Sequence, residues 1–124
     1  MNPNYASMKE IDPIYKNEIG LGFYWRRSGT SLKDKIQIIF RDTGFYLSHL
    51  EISEFYQQTI EALSRPRCTS CKTQECCRSI LLRTPFSQVD LAVSTVELEG
   101  MEDLLSGILF HLNLRQYLNG LGLN

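Results

Sequence analysis

Four cysteines fall within ten residues, CTSCKTQECC from Cys68 to Cys77, and the rest of the chain holds none. Their spacing, Cys-x2-Cys-x4-Cys-Cys, suits a soft metal ion. The turn inside a Cys-x2-Cys pair aims both sulfurs at one point, and tetrahedral zinc then takes two further ligands, with sulfur at about 2.3 Å. Cys68 and Cys71 supply the pair, Cys76 the third ligand and Cys77 the fourth. Neighbouring side chains of an extended chain point to opposite sides, so Cys76 and Cys77 share an ion only where the loop turns between them. His49, His111, water or a group from a second subunit are the alternatives for the fourth position. Iron–sulfur clusters also take thiolates, but this spacing matches neither the plant-type nor the bacterial ferredoxin run, which places them behind zinc. Covalent haem is excluded by Lys72, which stands where a Cys-x2-Cys-His motif has histidine.

The rival chemistry is redox. Cys68 and Cys71 have the spacing of a dithiol that closes to a disulfide, and thiols of lowered pKa exchange fastest. Arg65, Arg67, Lys72 and Arg78 surround the sulfurs, with Glu75 as the opposing charge. Such cations would lower thiol pKa values, and they would equally balance a zinc tetrathiolate of charge 2−. They do not separate the two readings. In a third reading the thiols are free, and Cys76 packs as a small hydrophobe.

No catalytic constellation stands out elsewhere. His49 falls in the first turn of one expected helix and His111 late in another, so neither has a partner for acid–base work. Glu97, Glu99, Glu102 and Asp103 read as the solvated, positively poled start of a helix. Gly20-Leu21-Gly22 lacks the third glycine and the strand-to-helix setting of a phosphate loop. Phe23, Tyr24 and Trp25 run into Arg26 and Arg27, with Lys33 and Lys35 close behind. Aromatic and basic residues so interleaved can stack on bases, although a core strand ending in a charged turn explains them more simply. A formal charge of −1 provides no whole-protein attraction to polyanions and argues against nucleic acid as the partner.

At 124 residues, 43% hydrophobic and 22% charged, the chain has the composition of one globular domain with a core of its own. The start, MNPNYASMKEIDPIYKNE, has no apolar stretch behind a positive end, so no signal peptide is expected. No apolar run approaches the roughly 20 residues of a spanning helix. A reducing, cytoplasmic setting follows, in which clustered cysteines serve metals or redox chemistry more often than structural disulfides.

The elements that must carry the cysteine loop follow from periodicity. Residues 1–18 show no sustained period and read as a loosely ordered arm, leaving 19–124 as a single domain with the cysteine-rich loop at 65–78. Ile19, Leu21, Phe23 and Trp25 alternate with Gly20, Gly22, Tyr24 and Arg26, a strand with one greasy face. KIQIIF and GFYL flank RDTG as a hairpin, and RSILLRT and VDLAV form another around PFSQ. Ser48 with Glu51, and Ser94 with Glu97, are capping boxes that open two helices. The first helix is expected to bury Leu50, Phe55, Ile60 and Leu63 and to stop near Ser64, before Pro66. The second carries Val96, Met101, Leu104, Leu105, Ile108 and Leu112. A shift of 46 positions lays one unit on the other, Ser48 on Ser94 and Glu51 on Glu97. A duplicated ββα unit leaves that mark, and so does plain convergence of hairpins that lead into capped helices. The fold class is α+β, with about five antiparallel strands and two main helices.

The stretch ILFHLNLRQYLNGLGLN is apolar nearly all round. A helix of that kind is sunk in a core or shared with a partner, and a homodimer through the C-terminal helix is the expectation.

CTSCKTQECCRSILLRTP followed by a capped C-terminal helix resembles small uncharacterised bacterial proteins of the domain-of-unknown-function kind, over about residues 35–118. The resemblance implies no activity and assigns no site residue. The sequence therefore points to a small non-enzymatic interaction protein with a cysteine-held structural metal, zinc first. A thiol-redox protein using Cys68 and Cys71 is the alternative, and a nucleic-acid accessory protein comes third.

Overall fold

The structure, a computed structural model, describes residues 10–66 and 77–122. The chain is α+β: two helices and a five-stranded antiparallel sheet, with a further two-stranded hairpin. The sheet comprises β1 (Ile11–Lys16), β2 (Gly20–Arg27), β3 (Thr30–Ser31), β4 (Ile36–Phe40) and β5 (Thr43–Leu47). Its order is β1-β2-β4-β5, with β3 turned back onto the end of β2. Helix α1 (His49–Ser64) follows, then β6 (Ile80–Arg83) paired with β7 (Asp90–Val93), and finally α2 (Thr95–Gly120).

The N-terminal reading needs correction, because residues 11–16 are not a loose arm but the edge strand of the sheet. Pro13 hid it. Proline has no amide to donate and is confined to edge strands and bulges, and here the β1–β2 register does shift between Pro13 and Tyr15. Burial of Ile11 and Ile14 holds the strand in place.

A second correction concerns the faces of β2. Pairing places Leu21, Phe23 and Trp25 on the same side as Gln37 and Ile39 of β4 and Tyr46 of β5. The opposite side carries Gly20, Gly22 and Tyr24 with Ile36, Ile38, Phe40, Phe45 and Leu47, and it is this side that the helices cover. Helix α2 lies across β1 and β2, while α1 packs against α2, β5 and β6. The glycines are the reason. A Cβ built on Gly20 would sit 2.7 Å from Leu104 Cδ2, and one on Gly22 would overlap Ile108 Cδ1. Bulky residues of α2 thus occupy the space that side chains on β2 would have filled. Knobs sit over bare backbone.

Both capping boxes form as expected. Ser48 N–H donates to Glu51 Oε1 at 2.9 Å and Glu51 N–H to Ser48 Oγ at 3.2 Å; Ser94 and Glu97 repeat the exchange at 2.9 and 3.1 Å. Leu47 and Val93, one residue before each cap, are buried together with Ile52 and Leu98, four residues inside, which are the two positions of a hydrophobic staple. Helix α1 stops at Ser64. Its buried face is Ile52, Phe55, Thr59 and Ala62; of the expected stripe Phe55 is buried and Leu63 half-buried against the core, while Leu50 and Ile60 stand exposed. Thr59 needs no external partner there, because its hydroxyl donates to the Phe55 carbonyl at 2.9 Å.

The 46-residue offset extends to burial. Phe45, Leu47, Ile52, Phe55, Thr59 and Ala62 are buried, and so are Leu91, Val93, Leu98, Met101, Leu105 and Ile108 in the same order. The two hairpin–helix units share one packing rhythm.

Candidate functional site

The two described ends of the cysteine loop are each tied down by an arginine. At the entry, Arg65 pairs with Glu61 at 3.1 Å and donates to the Leu81 carbonyl of β6 at 3.4 Å. At the exit, Arg78 binds Glu97 through Nε at 3.1 Å and through its terminal nitrogen at 2.9 Å. Glu97 collects more than this. Its Oε2 also accepts from Arg41 at 3.1 Å, and its Oε1 caps Ser94 N–H. One carboxylate therefore joins the β4–β5 turn, the loop exit and the first turn of α2.

The electrostatics of that junction are pronounced. Burial is the largest single influence on Glu97 and pushes its pKa up. Hydrogen bonds from Arg78 and the Ser94 amide, with the charge and hydrogen bond of Arg41, outweigh burial and hold the carboxyl at about 2. The Glu97 carboxylate in turn raises the pKa of Arg78, through its hydrogen bond first and its charge second. Arg41 reaches Glu97 from a left-handed backbone, φ 54°, with its guanidinium 4.6 Å from the centre of the Phe40 ring.

Of the four cysteines proposed as metal ligands, Cys68, Cys71 and Cys76 lie outside the described residues. Cys77 is described: it is half-buried and free, immediately before Arg78. Among the described residues no group of three or more histidine, cysteine, aspartate or glutamate side chains is placed to hold a metal. The histidines lie away from the loop's ends. His49 begins α1, a 16-residue helix that leads into the loop, so it stands roughly 24 Å from the entry at about 1.5 Å per residue. His111 comes 14 residues after Glu97 along α2, roughly 21 Å from the exit. Each has other company: His49 Nδ1 lies 3.5 Å from Gln116 Nε2, and the His111 ring sits between Tyr15 at 6.0 Å and Phe110 at 5.4 Å.

The outer side of α2 presents an unexpected order. Phe110, Leu114, Tyr117 and Leu121 are 63%, 40%, 64% and 52% exposed, at intervals of four, three and four residues. That is the spacing of a heptad seam, and it runs opposite the stripe of Leu104, Leu105, Ile108 and Leu112 that α2 buries in its own core. Asn113 and Gly120 flank the seam, and Arg115 is turned away to Asp12 at 3.3 Å. The apolar excess read in the sequence is thus split between two faces of one helix.

The open face of the sheet gathers a second group. Trp25, Arg26, Arg27, Leu32, Gln37 and Tyr46 line a shallow depression of about 470 Å³. Trp25 donates its indole N–H to Gln37 Oε1 at 3.2 Å, Gln37 donates to the Phe45 carbonyl at 3.1 Å, and Lys35 Nζ lies 5.7 Å from the centre of the Tyr46 ring. Tyr24, the middle aromatic of the run, faces the helices and contacts Arg115 instead. Lys33 lines a different hollow with Asp34 and His49. Tyr46 went unnoticed in the sequence because it joins this group only through strand pairing, opposite Gln37.

The chain matches no known family model, and no curated protein or solved structure is similar enough to it to count as a match.

Proposed function

We propose that this protein is a small non-enzymatic interaction module that works as a homodimer through the outer seam of α2. The observation that carries this reading is the exposed row Phe110, Leu114, Tyr117 and Leu121. A monomer gains nothing by exposing four large apolar groups in register, whereas two such helices bury them against each other in knobs-into-holes packing. The flanks favour a second copy over a charged partner. Asn113 and Gly120 carry no charge, so two identical seams meet without repulsion.

The same proposal assigns Cys68, Cys71, Cys76 and Cys77 to one structural metal, with zinc ahead of an iron–sulfur cluster. The spacing supports it, together with the position of half-buried Cys77 at an exit held by Arg78 and Glu97. A metal there would clasp the connection between the two hairpin–helix units and contribute directly to folding. A reducing, cytoplasmic setting suits such a site, and among the described residues no helix is long and apolar enough to cross a membrane.

Solution mass by light scattering and elemental analysis of chelator-free protein test the two halves separately. A dimer with about one zinc per chain is the expected result. A monomer at all concentrations removes the seam reading. Metal-free protein with fast-reacting thiols and a reversible Cys68–Cys71 disulfide turns the loop into a redox site.

A further inference from the structure

We infer that the open face of the sheet binds single-stranded nucleic acid, with Trp25 and Tyr46 as the stacking surfaces and Arg27, Lys35 and Lys16 as the phosphate contacts. The face is separate from the α2 seam, since the helices lie on the other side of the sheet.

Register shows how the charges are sorted. Alternation and pairing put Trp25, Gln37 and Tyr46 on the side away from the helices, where Phe23 and Ile11 are buried while Ile39 and Tyr46 stand exposed. Arg27, opposite Thr30 of β3, shares that side with Trp25, and Lys16, opposite Leu21, does so at the far end. Two nearby carboxylates go elsewhere: Asp12 pairs with Tyr24 and binds Ser31 and Arg115, and Asp34 lines the hollow beside His49. Among the described residues, the depression beside Trp25 is consequently lined by arginine and by no carboxylate. Three other hollows on the molecule each contain at least one, Glu61 and Asp90, Asp34, or Asp42 and Asp90. A chain of net charge −1 has thus kept one aromatic face basic.

The chemistry of that face selects the ligand. An apolar protein segment would use the rings but leave the cations unmatched. Duplex DNA would offer phosphates but keep its bases stacked out of reach. A single strand offers both, because unstacked bases lie on aromatic rings while the backbone runs past the cations. Gln37 contributes by fixing the plane of the Trp25 indole, and the Ser28–Gly29 turn, with φ of 54° and 79°, folds β3 back so that Leu32 borders the same depression.

Trp25 is the one tryptophan in the chain, so its emission reports on this face alone. Full-length protein is titrated with an oligothymidylate of about twelve nucleotides, a length within known single-strand site sizes. Saturable quenching is expected, with Kd on the order of 10⁻⁴ to 10⁻⁶ M and a log–log salt slope near −2, as for about three phosphates at roughly 0.7 each. Tyr46→Ala should weaken binding about tenfold, the loss of one stacked base. Arg27→Ala should make the slope about 0.7 shallower. Both side chains are exposed, and circular dichroism checks that the variants fold. Absence of quenching, quenching indifferent to salt, or emission that changes with protein concentration alone (a second copy on this face) would each overturn the proposal. Phe110→Glu removes a dimer formed through the α2 seam but not one formed through this face, so failure here and failure of the seam are told apart.

Discussion

Arg41 and Glu97 are 56 residues apart in sequence and 3.1 Å apart in space, and each satisfies a local need of its own segment while binding the other. Arg41 occupies the left-handed position of the tight β4–β5 turn; Glu97 closes the capping box of α2. Long-range contact is thus built from two groups that local structure had already fixed in place. Arg78 adds the loop exit to the same carboxylate.

The first prediction is an acid-side stability loss. Glu97 titrates at about 2 in the folded chain against an ordinary 4.5, so the folded value is depressed. Its contribution is complete above pH 4.5 and is lost as pH falls toward 2. Urea unfolding at a series of pH values should show this limb, and Glu97→Gln should flatten it while lowering stability at neutral pH. An unchanged limb in the variant would mean that other carboxylates carry it.

The Arg41 backbone provides an independent check. A non-glycine residue in the left-handed region costs about 1–2 kcal/mol, and φ is 54° here. Arg41→Ala and Arg41→Gly both lose the ion pair to Glu97, yet the glycine variant should be the more stable by about 1 kcal/mol. Equal stabilities in denaturant titration would argue that the turn relaxes.

Helix-to-sheet contact makes Gly22 intolerant of any side chain. Gly22→Ala drives a methyl into Ile108, and overpacking of this kind costs roughly 1–3 kcal/mol. A Cβ built on Gly44, on the open face, would sit 3.2 Å from Gln37 Nε2, a side-chain end that gives by a few tenths of an ångström, so Gly44→Ala should cost less than Gly22→Ala. The contrast, read from chemical denaturation, depends on which face of β2 the helix covers.

For the seam, Phe110→Glu or Tyr117→Lys should yield a folded monomer whose Tm no longer depends on concentration. Because these side chains are 63% and 64% exposed in the single chain, the fold itself should survive. Variants that remain dimeric by sedimentation would place the interface elsewhere.

Replacement of Cys68 or Cys71 by serine should release the metal and loosen the two hairpin–helix units, read as a drop in Tm together with loss of zinc by elemental analysis. A metal-bound wild type and metal-bound variants with one Tm would sink the clasp.

What the sequence determined by itself was local. Ser48 with Glu51, Ser94 with Glu97, the stop at Ser64 and the hairpins around Arg41-Asp42 and Pro85 were legible because each depends on hydrogen bonds between residues a few positions apart. The α+β class followed from them. The cysteine spacing was equally plain, but three of its four residues fall outside the described chain. Tertiary structure decided which faces are inside. Hydrophobicity marked Ile19, Leu21, Phe23 and Trp25 as the greasy face of β2, and Phe23 is buried, yet α2 packs on the other side because two wide residues cannot occupy one gap and Leu104 and Ile108 sit against the glycines. The same competition set the buried face of α1, where the small residues Thr59 and Ala62 are buried in place of Leu50 and Ile60. Thickness is a property of a pair of surfaces, and no single strand or helix states what will be laid against it.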